Sequence, residues 1–406
     1  MLAKTKYKKK IMLLGGIRYL LPVIEAAHKQ GYYVITADYI HNNIAHKYSD
    51  EYVDVSVTDK EAVLAVAKEK QIDGIMSFGV DPGVVAAAYV QEKMGLPAFG
   101  PFESVEILQN KDKFRKFLMD NGFNVPWSFS FSSVSEALKM EERFSYPLIV
   151  KPTDSAGSKG VTRVDSKANL EQALDYALEH SIKGKIIVEE FIEKQGCSSD
   201  SDCFSVDGDL KFVSFSAQRF DDSGVGKFVP AAYSWPSTMS EQQEEELRSE
   251  LQRLLNLLNM RTSVYNVETR VGKNGKVYIM EVSPRGGGNR LSEMIRYGTG
   301  VDLITACVRA SVGDVVEKIE QKQFNGHWAE IVLHADKTGI FEGMEISEGL
   351  HAEVIENDIW IRSGDVVERF EGANNAIGML ILKFETKKEL EEALLQQNEW
   401  LKIVVK

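Results

Sequence analysis

Cysteine is scarce in this sequence of 406 residues, and its placement argues against two kinds of stabilising site. The three cysteines, Cys197, Cys203 and Cys307, are too few and too odd in number for a disulfide framework. Five residues separate Cys197 from Cys203, and no histidine lies near them, which is not typical of a zinc site. A reducing, cytoplasmic setting is therefore the simplest expectation.

Basic residues and long apolar runs are also in short supply. The 48 lysines and arginines are outnumbered by 60 aspartates and glutamates, which gives a net charge of −12. Non-specific nucleic-acid binding needs a basic face, so this charge argues against it. No apolar run reaches the length of a membrane span, and Arg18 interrupts the run that follows the basic start "MLAKTKYKKK". We expect a protein that binds neither nucleic acid nor membranes.

The N-terminal part of the chain alternates strand and helix patterns. The apolar run "KKIMLLGG" reads as a strand, "IRYLLPVIEAAHKQG" as a helix that ends at Gly31, and "YYVITADY" as a second strand that ends at Asp38. This rhythm predicts a parallel sheet with helices on its faces. Gly15, Gly16 and Asp38 also fit part of a dinucleotide site, although G-x-G-x-x-G is incomplete. An NAD-dependent oxidoreductase therefore stays open as an alternative.

The rest of the chain divides into two further regions, as its length suggests. Strand and helix patterns alternate first. They are followed by a pattern typical of antiparallel strands, with a turn at Asp207 and Gly208, and then by a long helix, "SEQQEEELRSELQRLLNLLNM". We predict a Rossmann-like domain over residues 1–104 and a central domain over 105–312. The central domain would comprise a small lid (105–187) and a larger subdomain (188–312), followed by a small α+β region (313–406).

A predicted hairpin in the central domain carries two acidic residues. In "SVYNVETRVGKNGKVYIMEVSPR", two alternating strands flank a Gly-Lys-Asn-Gly turn, and Glu268 and Glu281 lie one on each strand. If they share a face, they form an oxygen pair suited to Mg²⁺; otherwise both point to solvent from a half-exposed sheet. Just beyond, "SPRGGGNR" places Arg285 and Arg290 around three glycines, a pattern suited to binding an anion. Together these residues favour a catalytic arrangement.

A lysine and a small polar loop follow another strand, in "YPLIVKPTDSAGSKGVTRV". The loop is either an ordinary hairpin connection or a flexible cover over the phosphates of a nucleotide. With this loop and the acidic hairpin in view, the chain resembles the ATP-grasp superfamily. Within it, the chain is similar to the carboxylate–amine ligases related to biotin carboxylase, glycinamide ribonucleotide synthetase and amino-acid ligases. The resemblance rests on several motifs in the family's order: "NKDKFRKFLMDNGFNVP", "YPLIVKP", "TDSAGSKGV", "IIVEEFI" and "VETRV…YIMEVSPR".

The resemblance implies a role for each motif. Glu189 would bond the adenine amino group, and the backbone of Glu190 to Ile192 would face the base. The implied nucleotide-binding residues are Lys113, Lys151, Ser155, Gly157, Ser158, Lys159, Gly160, Glu189, Glu190, Phe191 and Ile192. The implied metal ligands are Glu268, Glu281 and Ser283, with Arg285 and Arg290 as catalytic residues. Ser283 stands where the family has asparagine, so a second metal position is left open. The ribose contact, Glu193 or Asp200, is undetermined.

The resemblance also implies an activity and a fold. The fold would be mixed α/β and α+β, with an ATP-grasp fold between the Rossmann-like domain and the C-terminal region. The chain would be an ADP-forming ligase that joins a small-molecule carboxylate to an amine through an acyl phosphate, using ATP and Mg²⁺ or Mn²⁺. An amino acid or small metabolite is the expected substrate, and a homodimer is possible. The segment "SFGVDPG" is either an ordinary strand-to-helix turn or, as the resemblance implies, a turn that lies near the substrate. A non-catalytic ATP-binding regulatory protein is the second alternative.

Overall fold

A computed structural model of the chain describes residues 7–154, 159–220 and 229–406. Four strands begin the N-terminal domain: β1 (Lys10–Leu14), β2 (Tyr33–Asp38), β3 (Glu51–Asp54) and β4 (Gly74–Ser77). They form a parallel sheet in the order β3-β2-β1-β4. The helices of this domain are α1 (Leu21–Gln30), α2 (Lys60–Lys70) and α3 (Val84–Met94). Helix α1 ends at Gly31 in the left-handed conformation, as the sequence predicts. The predicted Rossmann-like sheet is confirmed.

The next region contains a second sheet that is antiparallel throughout. Its strands are β5 (Ser128–Phe131), β6 (Leu148–Pro152), β7 (Thr162–Val164) and β8 (Ile186–Glu190), in the order β5-β8-β6-β7. The helices here are α4 (Phe102–Leu108), α5 (Lys111–Asp120), α6 (Val134–Lys139) and α7 (Leu170–Glu179). Ser133 caps α6 by accepting a hydrogen bond from the backbone of Glu136. The apolar faces of α6 and α7 pack on the sheet and form a separate small core.

The third sheet carries the acidic hairpin. In chain order the following elements are β9 (Ser199–Val206), β10 (Asp209–Val213), β11 (Ala217–Phe220), β12 (Pro230–Trp235), α8 (Glu241–Leu257), β13 (Ser263–Val271) and β14 (Val277–Ser283). Four of these strands pair antiparallel in the order β10-β9-β13-β14. Asp207 and Gly208 make the predicted turn between β9 and β10, both with positive φ. Helices α9 (Leu291–Thr299) and α10 (Leu303–Ser311) follow.

The C-terminal region completes a sheet that begins earlier in the chain. Its elements are β15 (His327–Leu333), β16 (Gly339–Ile346), β17 (Glu353–Ile359), β18 (Val366–Val367), β19 (Gly378–Phe384), α11 (Lys387–Leu395), α12 (Gln397–Trp400) and β20 (Leu401–Val405). Strand β15 pairs with β12, so one sheet, β11-β12-β15-β19-β17, crosses the predicted limit at 312/313. The predicted limit at 187/188 falls inside β8. The domain limits stay predictions.

The N-terminal domain is docked onto the segment that follows the acidic hairpin. The backbone N–H of Gly79 donates to the carbonyl of Gly286 at 2.9 Å. A Cβ on Gly286 would lie 2.1 Å from the ring of Phe78, so only glycine permits this approach. Lys9 of the first strand region also pairs with Asp314, beyond α10, at 2.6 Å. This docking brings the carboxyl end of the parallel sheet against the candidate site.

No helix in the described part of the chain is long and apolar enough to cross a membrane.

One local prediction concerns the cap of α8. The Ser240 hydroxyl accepts from the Gln243 N–H at 3.3 Å, and the Gln243 side chain accepts from the Ser240 N–H at 3.0 Å. Ser240→Ala removes one half of this capping box, so we expect the free energy of unfolding to fall by about 1 kcal/mol. Urea denaturation would measure the change. Ser240→Asp should keep the stability of the wild type. A free energy of unfolding that is unchanged in Ser240→Ala would show that the cap does not stabilise the protein.

Candidate active site

Glu268 and Glu281 lie directly opposite each other across the β13–β14 hairpin. Directly opposed residues of an antiparallel pair project from the same face of the sheet, so the two carboxylates lie on one face. Their side chains are 35% and 38% exposed, which leaves both within reach of a ligand. The ladder has an irregularity immediately after this pair, between Glu268 and Thr269. The condition that the sequence left open, a shared face, is thus met.

A cation lies beside each of these acids. Lys111 Nζ is 3.5 Å from Glu281 Oε2, and Arg270 Nη2 is 3.8 Å from Glu268 Oε1. Burial acts to lower the pKa of Lys111, but Glu281 and Asp81 outweigh it and raise that pKa, so the lysine is charged. Lys113, the predicted nucleotide contact, is half-exposed and pairs with Glu106 at 3.4 Å. Sequence reasoning missed Lys111 because both lysines belong to the first turn of α5.

Glu189 and Lys151 belong to a buried charge cluster. Lys151 pairs with one oxygen of Glu189, and Arg115 Nε donates to the other at 3.1 Å. Burial acts to raise the pKa of Glu189, but Arg115 and Lys151 hold it down at about 2. Burial lowers the pKa of Lys151. Arg115 was not predicted, since nothing in "KFRKF" distinguishes it from its neighbours. The predicted contact of Glu189 with adenine stays a prediction.

The predicted adenine-facing segment leaves the end of β8. The N–H of Glu190 donates to the carbonyl of Trp127 at 2.9 Å, and that of Phe191 donates to the carbonyl of Pro147 at 3.3 Å. The carbonyl of Ile192 accepts from Arg270 at 3.2 Å. The segment is therefore fixed between the lid sheet and the hairpin sheet. Its contact with a base stays a prediction.

The predicted phosphate-covering loop connects β6 to β7, which pair as neighbouring antiparallel strands. Ser155, Gly157 and Ser158 lie outside the described residues. Lys159 is exposed, and Gly160 has a φ of 73°. A Cβ on Gly160 would meet Pro152 and His180 at 2.8 Å, so the loop ends in a turn that favours glycine. The flanking strands form a hairpin, which is compatible with either predicted use of the loop.

Arg285 is held by a residue that the sequence did not single out. Its Nε and Nη2 donate to the two carboxylate oxygens of Asp81 at 2.8 and 2.7 Å. The hydroxyl of Ser283 also donates to Asp81 at 3.0 Å and accepts from Gln109 at 2.8 Å. Burial raises the pKa of Asp81, but Arg285 and Ser283 outweigh it and lower that pKa. Asp81 belongs to the "SFGVDPG" turn, so the only sequence signal for it was that turn.

Arg290 lies apart from the acid pair. It donates to Glu356 at 2.9 Å and to Glu293 at 2.8 Å, and Tyr297 donates to Glu356 at 2.6 Å. Burial acts against its charge, but these acids raise the pKa of Arg290. The arginine thus connects the start of α9 to β17. Arg285 and Lys111 both act on the charge of Asp81, whereas Arg290 pairs with Glu293 and Glu356. A catalytic role for either arginine stays a prediction.

A third acid continues the row across the sheet. Asp200 on β9 lies opposite Glu268 and accepts from Asn266 at 2.7 Å and Tyr233 at 3.2 Å. Burial, and then the charge of Glu268, raise the pKa of Asp200 to about 7. Burial also raises the pKa of Asp202 to about 6, although its carboxylate accepts from the Gly287 N–H at 2.8 Å. The sequence suggested Asp200 only as a ribose contact, which stays a prediction.

The acid pair suits a magnesium ion that also binds phosphate and water, more than a metal site in which protein side chains supply every ligand. Among the described residues, no group of three or more histidine, cysteine, aspartate or glutamate side chains could hold a metal ion. Mg²⁺ is commonly bound by one or two carboxylates, with phosphates and water as its other ligands. Glu268 and Glu281 supply that number of carboxylates. The Ser283 hydroxyl donates to Asp81 and accepts from Gln109, which leaves one lone pair of its oxygen for such an ion.

The structure argues against the NAD alternative. The carboxylate of Asp38, which would bind the ribose, is buried and accepts from Asn43 at 2.8 Å and from the Ile40 N–H at 3.3 Å. At Gly15, a Cβ would lie 2.7 Å from Val80, so the space beside the glycine turn is filled. A dinucleotide would need both of these places to be open.

Comparisons with known proteins agree with the motifs. Residues 144–293 match the family model described as the ATP-grasp domain. The carbamoyl phosphate synthase large chain of Thermotoga neapolitana is 26% identical over 78% of this chain and 30% of its own length. That of Ralstonia nicotianae is 25% identical over 77% and 30%. The chain thus spans about a third of the length of these relatives.

Solved structures resemble the whole chain. The L-amino acid ligase of Bacillus licheniformis superposes with a TM-score of 0.81 at 22% identity, over 99% of this chain and 100% of its own. The phosphoribosylglycinamide synthetase of Anaerococcus prevotii gives 0.76 at 21%, over 98% and 100%. The biotin carboxylase domain of a Hydrogenobacter thermophilus carboxylase, solved with MgADP, gives 0.73 at 18%, over 98% and 91%. At these identities the likeness shows the fold, and the predicted fold class is confirmed.

The buried Glu189 cluster predicts a pH-dependent stability. Glu189→Gln leaves Lys151 and Arg115 as buried, unpaired cations, so we expect a loss of about 3–5 kcal/mol at pH 7. Because the pKa of Glu189 falls from 4.5 to about 2 on folding, its contribution is present above pH 4.5 and is lost as the pH falls towards 2.

Urea denaturation of wild type and variant at several pH values would show the two curves converging in acid. Glu193→Gln is the control, because Glu193 is exposed in its pair with Lys273 and its loss should change the free energy of unfolding far less. A gap between wild type and Glu189→Gln that stayed constant down to pH 3 would contradict the assignment.

The two lysines of α5 predict a contrast in nucleotide binding. Lys111→Met removes a cation beside Glu281, so we expect Mg·ATP to bind at least about tenfold more weakly, as for a lost charge-assisted contact. Lys113→Met, in the half-exposed pair with Glu106, should change binding by less than about twofold. Titration calorimetry measures the affinity of both variants for Mg·ATP, and a repeat with ATP and EDTA measures their affinity for the nucleotide without the metal. Equal weakening would show that Lys113 reaches the nucleotide, as the resemblance implies.

Proposed function

Because the chain contains an ATP-grasp domain and has the fold of the ATP-grasp ligases, as its motifs predicted, we propose that it is an ADP-forming carboxylate–amine ligase. One observation carries the proposal: Glu268 and Glu281 oppose each other beside Lys111, and Arg285 follows on the same chain segment. Acids for a metal, a cation for phosphate and an arginine for a carboxylate are the components that such a ligase needs.

The nucleotide would be held mainly by charge. Lys151 at the end of β6 and Lys111 at the start of α5 would contact phosphate oxygens, each exchanging part of its present acid contact. Glu268 and Glu281 would hold Mg²⁺, which supplies charge neutralisation of the phosphates when bound. Glu190 to Ile192 would face the base. This assignment uses cations that are already fixed in place by Glu281 and Glu189.

The first chemical step is phosphoryl transfer to the acid substrate. A carboxylate oxygen attacks the γ-phosphorus, the bond from that phosphorus to the ADP oxygen breaks, and an acyl phosphate forms. Arg285 would orient the carboxylate. Of its five N–H donors, Asp81 takes two and the Gly286 carbonyl takes one, so two remain for the substrate. Positioning and charge neutralisation supply most of the rate in such a step.

The second step joins the amine. An amine that binds as its ammonium ion first loses a proton to water. The neutral nitrogen then attacks the acyl carbon and forms the C–N bond of a tetrahedral intermediate. The C–O bond to the phosphate breaks, phosphate leaves, and the nitrogen loses a further proton. Arg285 would stabilise the negative charge that develops on the acyl oxygen. Because the L-amino acid ligase of Bacillus licheniformis has the same fold over essentially the full length of both chains, we propose an amino acid as at least one substrate.

The test measures release of ADP and phosphate with Mg·ATP against amino acids, singly and in pairs, with mass spectrometry of the products. We expect ADP release that needs two particular compounds, and a product lighter than their sum by one water. Glu281→Gln should lower kcat at least about a hundredfold, because it removes a charge that acts on the transferred phosphoryl group. Glu345→Gln, an exposed acid on β16, is the matched control and should keep wild-type activity.

Three outcomes would count against the proposal. Wild-type activity in Glu281→Gln would overturn the metal assignment. Tight binding of Mg·ATP without turnover of any pair would favour the regulatory alternative. Release of AMP instead of ADP would contradict the acyl-phosphate route.

A further inference from the structure

A hydrogen-bonded chain of side chains runs from the N-terminal domain into the acidic row of the candidate site. The Tyr19 hydroxyl donates to Asn289 at 2.9 Å, Asn289 donates to the Tyr233 hydroxyl at 3.0 Å, and Tyr233 donates to Asp200 at 3.2 Å. Each link points the same way, so the chain ends on the Asp200 carboxylate. Tyr19 follows β1, Asn289 follows the three glycines after β14, Tyr233 lies on β12 and Asp200 lies on β9. Four separate parts of the chain therefore supply this row of side chains, which we call the wall beside Asp200.

The backbone at one link of this chain is strained. Asn289 has a φ of 50° and the next residue, Arg290, a φ of 58°, although neither is glycine. Two consecutive left-handed residues persist only where the surroundings impose them, and such strain is concentrated at functional sites. Here the strain directs the Asn289 amide between the two tyrosine hydroxyls. The wall beside Asp200 is therefore a feature that the fold maintains at a cost.

Acceptors along this wall outnumber donors. Gln218 is 4% exposed; its Nε2 lies 3.4 Å from Asp200, and its Oε1 has no hydrogen-bond partner among the described residues. Glu330, opposite Tyr233 in the neighbouring strand, is fully buried, and both of its carboxylate oxygens likewise lack a partner in the described ranges. Buried acceptors without donors are costly, and a ligand that brings several N–H groups relieves that cost.

We propose that Asp200, with Gln218 Oε1 beside it, recognises the cationic ammonium group of the amine substrate. The proposal rests on the ligase function and specifies its second substrate as a protonated primary amine. Asp200 is partly exposed and faces the same side of the sheet as Glu268, one strand from the acid pair. That position places the amine next to the phosphoryl-transfer site without occupying it. An ammonium group has three donors, which matches an acceptor-rich wall.

The alternative use of Asp200, as a structural anchor for Asn266 and Tyr233, predicts different behaviour. Asp200→Asn keeps the size of the side chain and removes its charge, so an anchor would lose part of every activity. A recognition residue would lose the cationic amine alone. Hydroxylamine separates the two, because it is uncharged at neutral pH and attacks an acyl phosphate to give a hydroxamate and phosphate.

The experiment compares wild type, Asp200→Asn and Asp209→Asn in two assays with Mg·ATP and the same acid substrate. One assay measures the hydroxamate formed with hydroxylamine, and the other measures the product formed with each member of a panel of amino acids as the amine. Asp209 is exposed on β10 in a pair with Lys211, so Asp209→Asn controls for the loss of one charge on the same sheet.

We expect Asp200→Asn to raise the KM for the amine at least about tenfold, as for one lost charge-assisted contact. Its hydroxamate formation and its KM for Mg·ATP should stay within about twofold of wild type. Equal losses in both assays would assign Asp200 a structural role and overturn the inference, and so would an unchanged KM for the amine. Hydroxamate formation without use of any cationic amine would also overturn it. Failure of the ligase proposal itself would show differently, as wild-type enzyme that makes no hydroxamate from any acid.

Discussion

The register of one antiparallel hairpin fixes the geometry of the candidate site. Because β13 pairs with both β9 and β14, the pairing of Glu268 with Glu281 on one side and with Asp200 on the other sets three carboxylates in a row on one face. A shift of one residue would turn Glu268 to the opposite face of the sheet. Strand β14, which carries Glu281, ends at Ser283 and leads into Arg285. The positions of the acids proposed as metal ligands and of the acid proposed as the amine contact are thus set by one pairing.

Charge pairing is the second constraint on this site. The chain has a net charge of −12, yet the cations suited to phosphate and carboxylate are each placed beside an acid: Lys111 by Glu281, Lys151 by Glu189, and Arg285 by Asp81. Paired in this way, a buried cation keeps its charge without an uncompensated desolvation cost. A bound nucleotide would replace part of these contacts. The acids therefore hold the cations in position and also set how strongly a ligand must compete.

The N-terminal domain acts here as a component of the site. Its parallel sheet has the Rossmann-like order, but Asp38 and the space at Gly15 are used internally. What the domain contributes to the site comes from its loops, because Asp81 holds Arg285 and Tyr19 begins the chain of hydrogen bonds to Asp200. Both loops lie at the carboxyl end of the parallel strands, where open α/β sheets bind ligands.

The sequence by itself determined what depends on short-range chemistry. Helix and strand periods, the end of α1 at Gly31 and the turn at Asp207 and Gly208 were all predictable, because each depends on neighbouring residues alone. The sequence also indicated that Glu268 and Glu281 belong to one hairpin, but only the observed register shows that they share a face. The order of the motifs also indicated the fold, which the structural likeness confirms.

Only the tertiary structure decided which side chains became partners across the chain. Asp81 meets Arg285 from 204 residues away, and Arg115 meets Glu189 from 74 residues away. Lys111, and not Lys113, lies beside Glu281 because the docking of α5 selects one side of its first turn. Strand β15 likewise joins β12 across a limit that looked like a boundary. Such choices depend on how packed elements exclude water and pair buried charges, and periodicity and spacing do not encode that.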